Sequence, residues 1–585
     1  MMYPFSDIRD AQPASGQPDH RAIRIQPFFC CLLLAAIVPK AVAQSPDSTQ
    51  ADVSRICSSA PFPMPQIRIP TFPERLLNVR DFGAVCDAVT LNDKAINDAI
   101  VACSRAGGGR VIIPAGVWRS GPITILENVD LHLERGALLA FSNRLEDYPL
   151  IAGFDGKSRR YLITPPIHAY RAKNIGLTGE GIIDGNGDAW RYVKRAKLTA
   201  PQWEELVRSG GVVSSDGKEW WPSREAMEGE EYLGKITASG KSPTKDDYVH
   251  VREFLRPDLV VFVQCDGVLV DGVTLENSPK FHLRPQQSEN IVIRDVHIMA
   301  PWYGQNTDGL DPSSCRNMVI ERTTVDVGDD GICLKPASLA SSQTKGPSCA
   351  NILIVDCTVY HAHGGFVIGS ESYGGVDNVY VHNCTFVGTD VGLRFKSARD
   401  RGGLVHHVTV DGIQMSGIEN AAILFDMYYG GGSPDDERMK VDDTHAPKPV
   451  TDRTPRFEDF DIRNVACIGA RQAVVVKALP EMPLRNIVFK NLNIASHEGV
   501  DLVQADGIEM TDCAIRPATG PVVRIDETKN LMIRRMSYPK GAEEFLQVKG
   551  EHSEGVKVEG VELSWALKAV NLSPEVRRNA VEIVP

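Results

Sequence analysis

The sequence predicts an all-β fold, a right-handed parallel β-helix (solenoid) with an N-terminal capping helix. Three observations carry that expectation. First, one short pattern recurs: Asn, apolar, any, apolar, two of any kind, then apolar, any, apolar. It reads GVLVDGVTLENSP at 267–279, NIVIRDVHIMAP at 290–301, NMVIERTTVDVGDD at 317–330, NILIVDCTVYHAHGG at 351–365 and NVYVHNCTFVGTDVG at 378–392, with weaker copies up to 530–540. Two short strands with alternating apolar residues meet at a polar bend, so one face is buried and the other exposed. Second, the copies start about every 20 to 35 residues. That is too regular for a sandwich and too short for βαβ units. Third, one amphipathic helix precedes the run, where a solenoid needs its open core covered.

Taken in order, residues 1–43 read as an export signal. Arg21 and Arg24 precede an apolar core, PFFCCLLLAAIV (27–38), too short to span a bilayer, and Ala41-Val42-Ala43 supplies a small-residue cleavage pattern. The expected product is therefore periplasmic or secreted, with no membrane span of its own. Residues 44–75, rich in Ser, Pro and Gln, read as a linker or extended N-terminal arm. A helix is expected from Thr90 as its cap, with Ala95, Ile96, Ala99, Ile100 and Cys103 on one face and Gly107-Gly108-Gly109 at its end. The solenoid domain then fills 76–585, with insertions at about 188–256 and 429–455. The first insertion carries Trp190, Trp203, Trp220 and Trp221 and a short helix near Gln202–Arg208. Excursions of this kind gather on one face of a solenoid and shape its binding site.

The net charge of −12 over 585 residues argues against a nucleic-acid partner. A polyanionic substrate would need a local basic cluster. Thirteen cysteines are present, and two of them, Cys30 and Cys31, fall in the leader. Of the rest, Cys86 and Cys103 are the pair expected to bridge. Cys357, Cys384 and Cys513 recur at like places in the repeat and read as small buried hydrophobes. No His/Cys spacing points to zinc, and no cofactor or metal is expected.

The chemistry concentrates between Asn306 and Asp330. Asp308 and Asp311 form one acidic cluster, Asp329 and Asp330 the next, and Asp308 stands 21 residues before Asp329. One coil of a β-helix has about that length, so the two sites are expected on neighbouring rungs, about 4.8 Å apart. His363, Arg394 and Lys396 are expected once per coil at a comparable phase, forming a column with the acids. Clustered carboxylates suit glycoside hydrolysis, because mutual repulsion keeps one protonated as an acid while another stays ionised to activate water. Arg394 and Lys396 would hold an acidic sugar.

Asn306-Thr307-Asp308-Gly309, Gly328-Asp329-Asp330, His363-Gly364 and Arg394-Phe395-Lys396 resemble, in order, the four signature segments of the polygalacturonase family, family 28 of the glycoside hydrolases. The stretch from Asp81 to Gly116 also resembles that family's start. The resemblance implies inverting hydrolysis of α-1,4 bonds between galacturonates. It implies Asp329 as general acid, Asp308 and Asp330 as the water-activating pair, and His363 as support for the acid. Arg394 and Lys396 would bind substrate carboxylates, as would a tyrosine, Tyr429 or its rival Tyr428. Two departures stand out: Ala362 precedes His363 where the family often has glycine, and Phe395 replaces an aliphatic residue. GGFVIGSE (364–371) and the long first insertion resemble bacterial exo-acting members. Rival expectations are a rhamnogalacturonan or xylogalacturonan hydrolase, a calcium-dependent pectate lyase and a non-catalytic glycan-binding solenoid.

Overall fold

The computed structural model describes residues 46–153, 160–336, 348–429 and 446–584. The expected leader, 1–43, and most of the 429–455 insertion lie outside the described residues. The chain winds as a parallel β-helix whose coils stack in register. Val268, Ile291, Met318, Ile352 and Val379 face one another from coil to coil. All five are buried, and this stacking of aliphatic side chains is what the recurring pattern encodes.

The polar bend has a physical cause. Asn290, Asn317, Asn351 and Asn378 all adopt left-handed backbone angles, φ from 52° to 58°, which asparagine tolerates better than most residues. Their amides then hydrogen-bond along the stack, Asn351 Nδ2 to Asn317 Oδ1 at 3.0 Å and Asn378 Nδ2 to Asn351 Oδ1 at 3.1 Å.

The N-terminal arm departs from expectation. Residues Pro46–Ser59 form a helix, α1, rather than an extended linker. Val53, Ile56 and Cys57, with Ile67 beyond the helix, pack on the outside of the solenoid against Leu269, Val292, Val319, Leu353 and Tyr380. Each of those five sits between two inward residues of a repeat. Alternation calls for a polar residue there, and an apolar stripe on the outer face needs a cover.

The capping helix, α2, spans Asp93–Arg105 and buries the five expected residues. Its cap is Asn92, not Thr90. Thr90 instead hydrogen-bonds Asp87, while the Asn92 side chain is tied to Val85, Thr90 and Arg119. Cys86 and Cys103 do not bridge. Cys103 points into the core from α2, whereas Cys86 is exposed in a loop. Cys357, Cys384 and Cys513 are buried, as expected of small core residues.

The first insertion folds into three helices, α3 (Ala200–Arg208), α4 (Arg224–Ala238) and α5 (Lys245–His250). Trp190, Trp203 and Trp220 are buried within it, and Trp221 stacks on Tyr192 at 4.2 Å. Trp203 and Trp220 therefore pack the insertion together, while Trp190 joins it to Tyr148, Leu150 and Ile163.

Candidate active site

The third strand of successive coils brings the acids together, with an actual register that is one residue off the expected one. Leu310 pairs with Ile332, and the Gly309 amide donates to the Asp330 carbonyl at 2.9 Å. Asp308 thus stacks on Asp330, not on Asp329. Asp329 stacks instead on His363, whose amide donates to the Asp329 carbonyl at 2.9 Å. Gly309 and Gly331 are needed for close approach, not for an unusual backbone. A Cβ on Gly309 would lie 2.5 Å from Val325 Cγ1, and one on Gly331 2.5 Å from Val359 Cγ1.

Side-chain oxygens of Asp308, Asp329 and Asp330 lie within 4.8 Å of one another. Each acid has different company. Asp330 receives Lys396 Nζ at 2.6 Å and an Arg394 guanidinium nitrogen at 3.2 Å. Burial alone would raise its pKa, but Lys396, Arg394 and Lys335 together hold it well below the usual carboxylate range. Asp308 receives Lys335 Nζ at 3.0 Å. Its burial outweighs Lys335, and the neighbouring Asp329 and Asp330 add to the burial, so its pKa is pushed up to about 7. Asp329 is also desolvated. Contact with His363 Nδ1 at 3.2 Å outweighs this and lowers its pKa. Asp329 is the most accessible of the three, its side chain 19% exposed against 4% for Asp308 and 2% for Asp330.

Arg394 and Lys396 do not share the phase of His363. Arg394 pairs with Val367, further along its strand, and reaches back to Asp330. The residue in step with His363 on the next coil is Asp390, whose carboxylate lies 3.7 Å from His363 Nε2. Tyr429 lies beneath both cations, its ring 5.5 Å from Arg394 and 4.6 Å from Lys396. Tyr428 turns away to Arg399.

Sequence reasoning missed several partners. Lys335 follows Ile332-Cys333-Leu334, and a lysine closing a buried strand near four acids was a usable signal. Asp311, fully buried, sits 3.4 Å from the same lysine, and its pKa is raised by burial and then by Asp308. A cavity of about 450 Å³ is lined among others by Arg160, Phe254, Arg256, Asp258, Lys280 and Arg284. Arg256 donates to Asn306 Oδ1 at 2.7 Å, which ties the end of the insertion to the acid cluster.

A family model described as glycosyl hydrolases family 28 matches residues 194–444. The matched stretch holds Asp308, Asp329, Asp330, His363, Arg394 and Lys396. The chain is similar to the exo-poly-alpha-D-galacturonosidase of Dickeya chrysanthemi and to a probable polygalacturonase of Vitis vinifera. The first is 29% identical over 67% of this chain and 62% of the relative's own length. The second is 26% identical over 75% of this chain and 80% of the relative. A solved structure, the exopolygalacturonase from Thermotoga maritima, superposes with a TM-score of 0.58 at 25% identity, over 88% of this chain and 97% of that one.

Proposed function

We propose that the protein hydrolyses α-1,4-galacturonosidic bonds of polygalacturonate from a chain end. The observation that carries this reading is the pairing of three converging carboxylates with Arg394, Lys396 and Tyr429. The first group supplies acid and base; the second supplies a cationic seat for a uronate.

In the proposed mechanism, Asp330 stays ionised under Lys396 and Arg394 and, with Asp308, draws the proton from water. Asp329, the accessible member, protonates the leaving oxygen. Before substrate binds, the raised pKa of Asp308 and the lowered pKa of Asp329 favour the trio's proton on Asp308. A bound uronate carboxylate repels the Asp329 charge and draws the proton across. The close spacing of the oxygens is below the roughly 6.5–9.5 Å usual between the two carboxyls of an inverting pair. Inversion therefore rests on the resemblance to family 28 and not on separation.

Two features support end-on attack. The insertion contributes Phe254, Leu255 and Arg256 to the wall of the basic cavity, and Arg256 also holds Asn306, two residues before Asp308. The Dickeya relative is named as exo-acting. A calcium-dependent lyase fits less well, because Lys335 already counters Asp308, and Arg394 and Lys396 counter Asp330. Export belongs to the same proposal and rests on the pattern in residues 1–43. N-terminal sequencing of the exported protein should begin near Gln44.

The test is product profiling on polygalacturonate, with and without chelator. Mono- or digalacturonate should appear from the outset, without unsaturated product and without loss in chelator. Asp329→Asn should abolish turnover. Early mixed oligomers would refute end-on attack, and chelator-sensitive release of unsaturated sugars would refute hydrolysis.

A further inference from the structure

Lys197, from the first insertion, reaches into the catalytic centre, and no part of the mechanism above uses it. Its ammonium lies 2.9 Å from the Gly328 carbonyl, 3.3 Å from the Trp302 carbonyl and 3.1 Å from His363 Nε2. An ammonium has three N–H donors and no acceptor. Three acceptors surround this one, so His363 Nε2 must be the acceptor in its contact with Lys197. The imidazole hydrogen then sits on Nδ1, which faces Asp329 Oδ1 at 3.2 Å. Two of the anchors also border the acids in sequence: Gly328 precedes Asp329, and Trp302 lies on the loop leading to Asp308.

We infer that Lys197 is a positioning residue that fixes His363 in its Nδ1–H tautomer and thereby aims a neutral donor at Asp329. The inference rests on the hydrolase reading of the site. Its chemical consequence is specific. A donor hydrogen on Nδ1 steadies Asp329 when it is ionised after proton donation, yet a neutral ring does not withhold the next proton as an imidazolium would. The charged groups facing His363 are Asp329 at Nδ1, Lys197 and Asp390 at Nε2, and Arg394, which donates to the His363 carbonyl at 3.3 Å. Without Lys197, Asp390 becomes the neighbour of Nε2, and a proton on that nitrogen is favoured. The insertion then has a second task besides walling the cavity, because it completes the acid's support.

The experiment compares wild type, Lys197→Met and Lys197→Arg in kinetics and in ¹⁵N-histidine NMR, with His363→Gln to assign the signal. In the wild type, His363 should be protonated on Nδ1 alone. In Lys197→Met, Nε2 should become protonated at neutral pH. The same variant should lose about tenfold or more in kcat while KM changes less than about threefold, and its pH profile should be displaced. Lys197→Arg, which keeps a charged donor, should recover most of the loss. Should Lys197→Met fail to fold, Lys197→Gln keeps a donor for the Gly328 carbonyl without the charge and is read in the same way. Wild-type Nε2 protonation, an unchanged kcat, or a change confined to KM would each overturn the inference. An inactive wild type would instead sink the hydrolase reading and leave the tautomer measurement to decide this one.

Discussion

At the scale of single residues, the site separates three chemically identical side chains by their neighbours. Asp330 is pinned by two cations, Asp329 by an imidazole, and Asp308 by one lysine that burial overrides. The raised value of Asp308 has a stability consequence with a definite sign. Its folded pKa of about 7 exceeds the unfolded value, near 3.9 for aspartate. The folded state therefore binds the proton more tightly. This contribution is fully present below the unfolded value and is lost as pH rises through 7. Asp308→Asn, inactive, should melt about 2–4 °C above wild type at pH 8 and show a clearly smaller gain at pH 5. A thermal scan at the two pH values checks it. The division of labour between acid and base is testable with an aryl galacturonide whose phenolate leaves without help. Asp329→Asn should lose at least about tenfold less on that substrate than on polygalacturonate, whereas Asp330→Asn should lose as much on both.

At the scale of elements, the helix α1 shows what an alternation pattern conceals. The triplets Val268-Leu269-Val270, Ile291-Val292-Ile293, Met318-Val319-Ile320 and Ile352-Leu353-Ile354 are apolar throughout. Inward positions explain the outer two of each, and nothing in a bare solenoid explains the middle one. The middle residues were a legible demand for a cover. The composition of residues 44–75, dominated by Ser, Pro and Gln, obscured the few apolar side chains that meet it. Val53, fully buried in that contact, provides the test. Each buried aliphatic side chain contributes about 1.5–3 kcal/mol, and a carboxylate at this place costs more than that. Val53→Asp should release α1, increase binding of a hydrophobic dye and lower the melting temperature. Specific activity should stay near wild type, because the site lies on a different strand of each coil.

At the scale of the whole molecule, the coil was readable and its exact pitch was not. The repeat pattern predicts parallel winding, the stacked core and the convergence of Asp308, Asp329 and Asp330. It does not tell 21 residues per turn from 22, because the outer bends absorb one residue without disturbing the inward pattern. That single residue decides which acid lies above which. The same blindness explains the cations: Lys335 and Arg394 act across coils, through side-chain length that no spacing rule measures. Lys197 was beyond reach altogether, since an insertion outside the repeat has no register from which to place it.

The docking of α1 also sets an order of events while the chain is made. Its partners, from Leu269 to Tyr380, are synthesised roughly 200 to 320 residues after it. At ribosomal speeds of about 5–20 residues per second, its greasy side waits uncovered for roughly 10 to 60 seconds. The earliest of the described segments to emerge therefore completes its contact only once the coils as far as Tyr380 have been made.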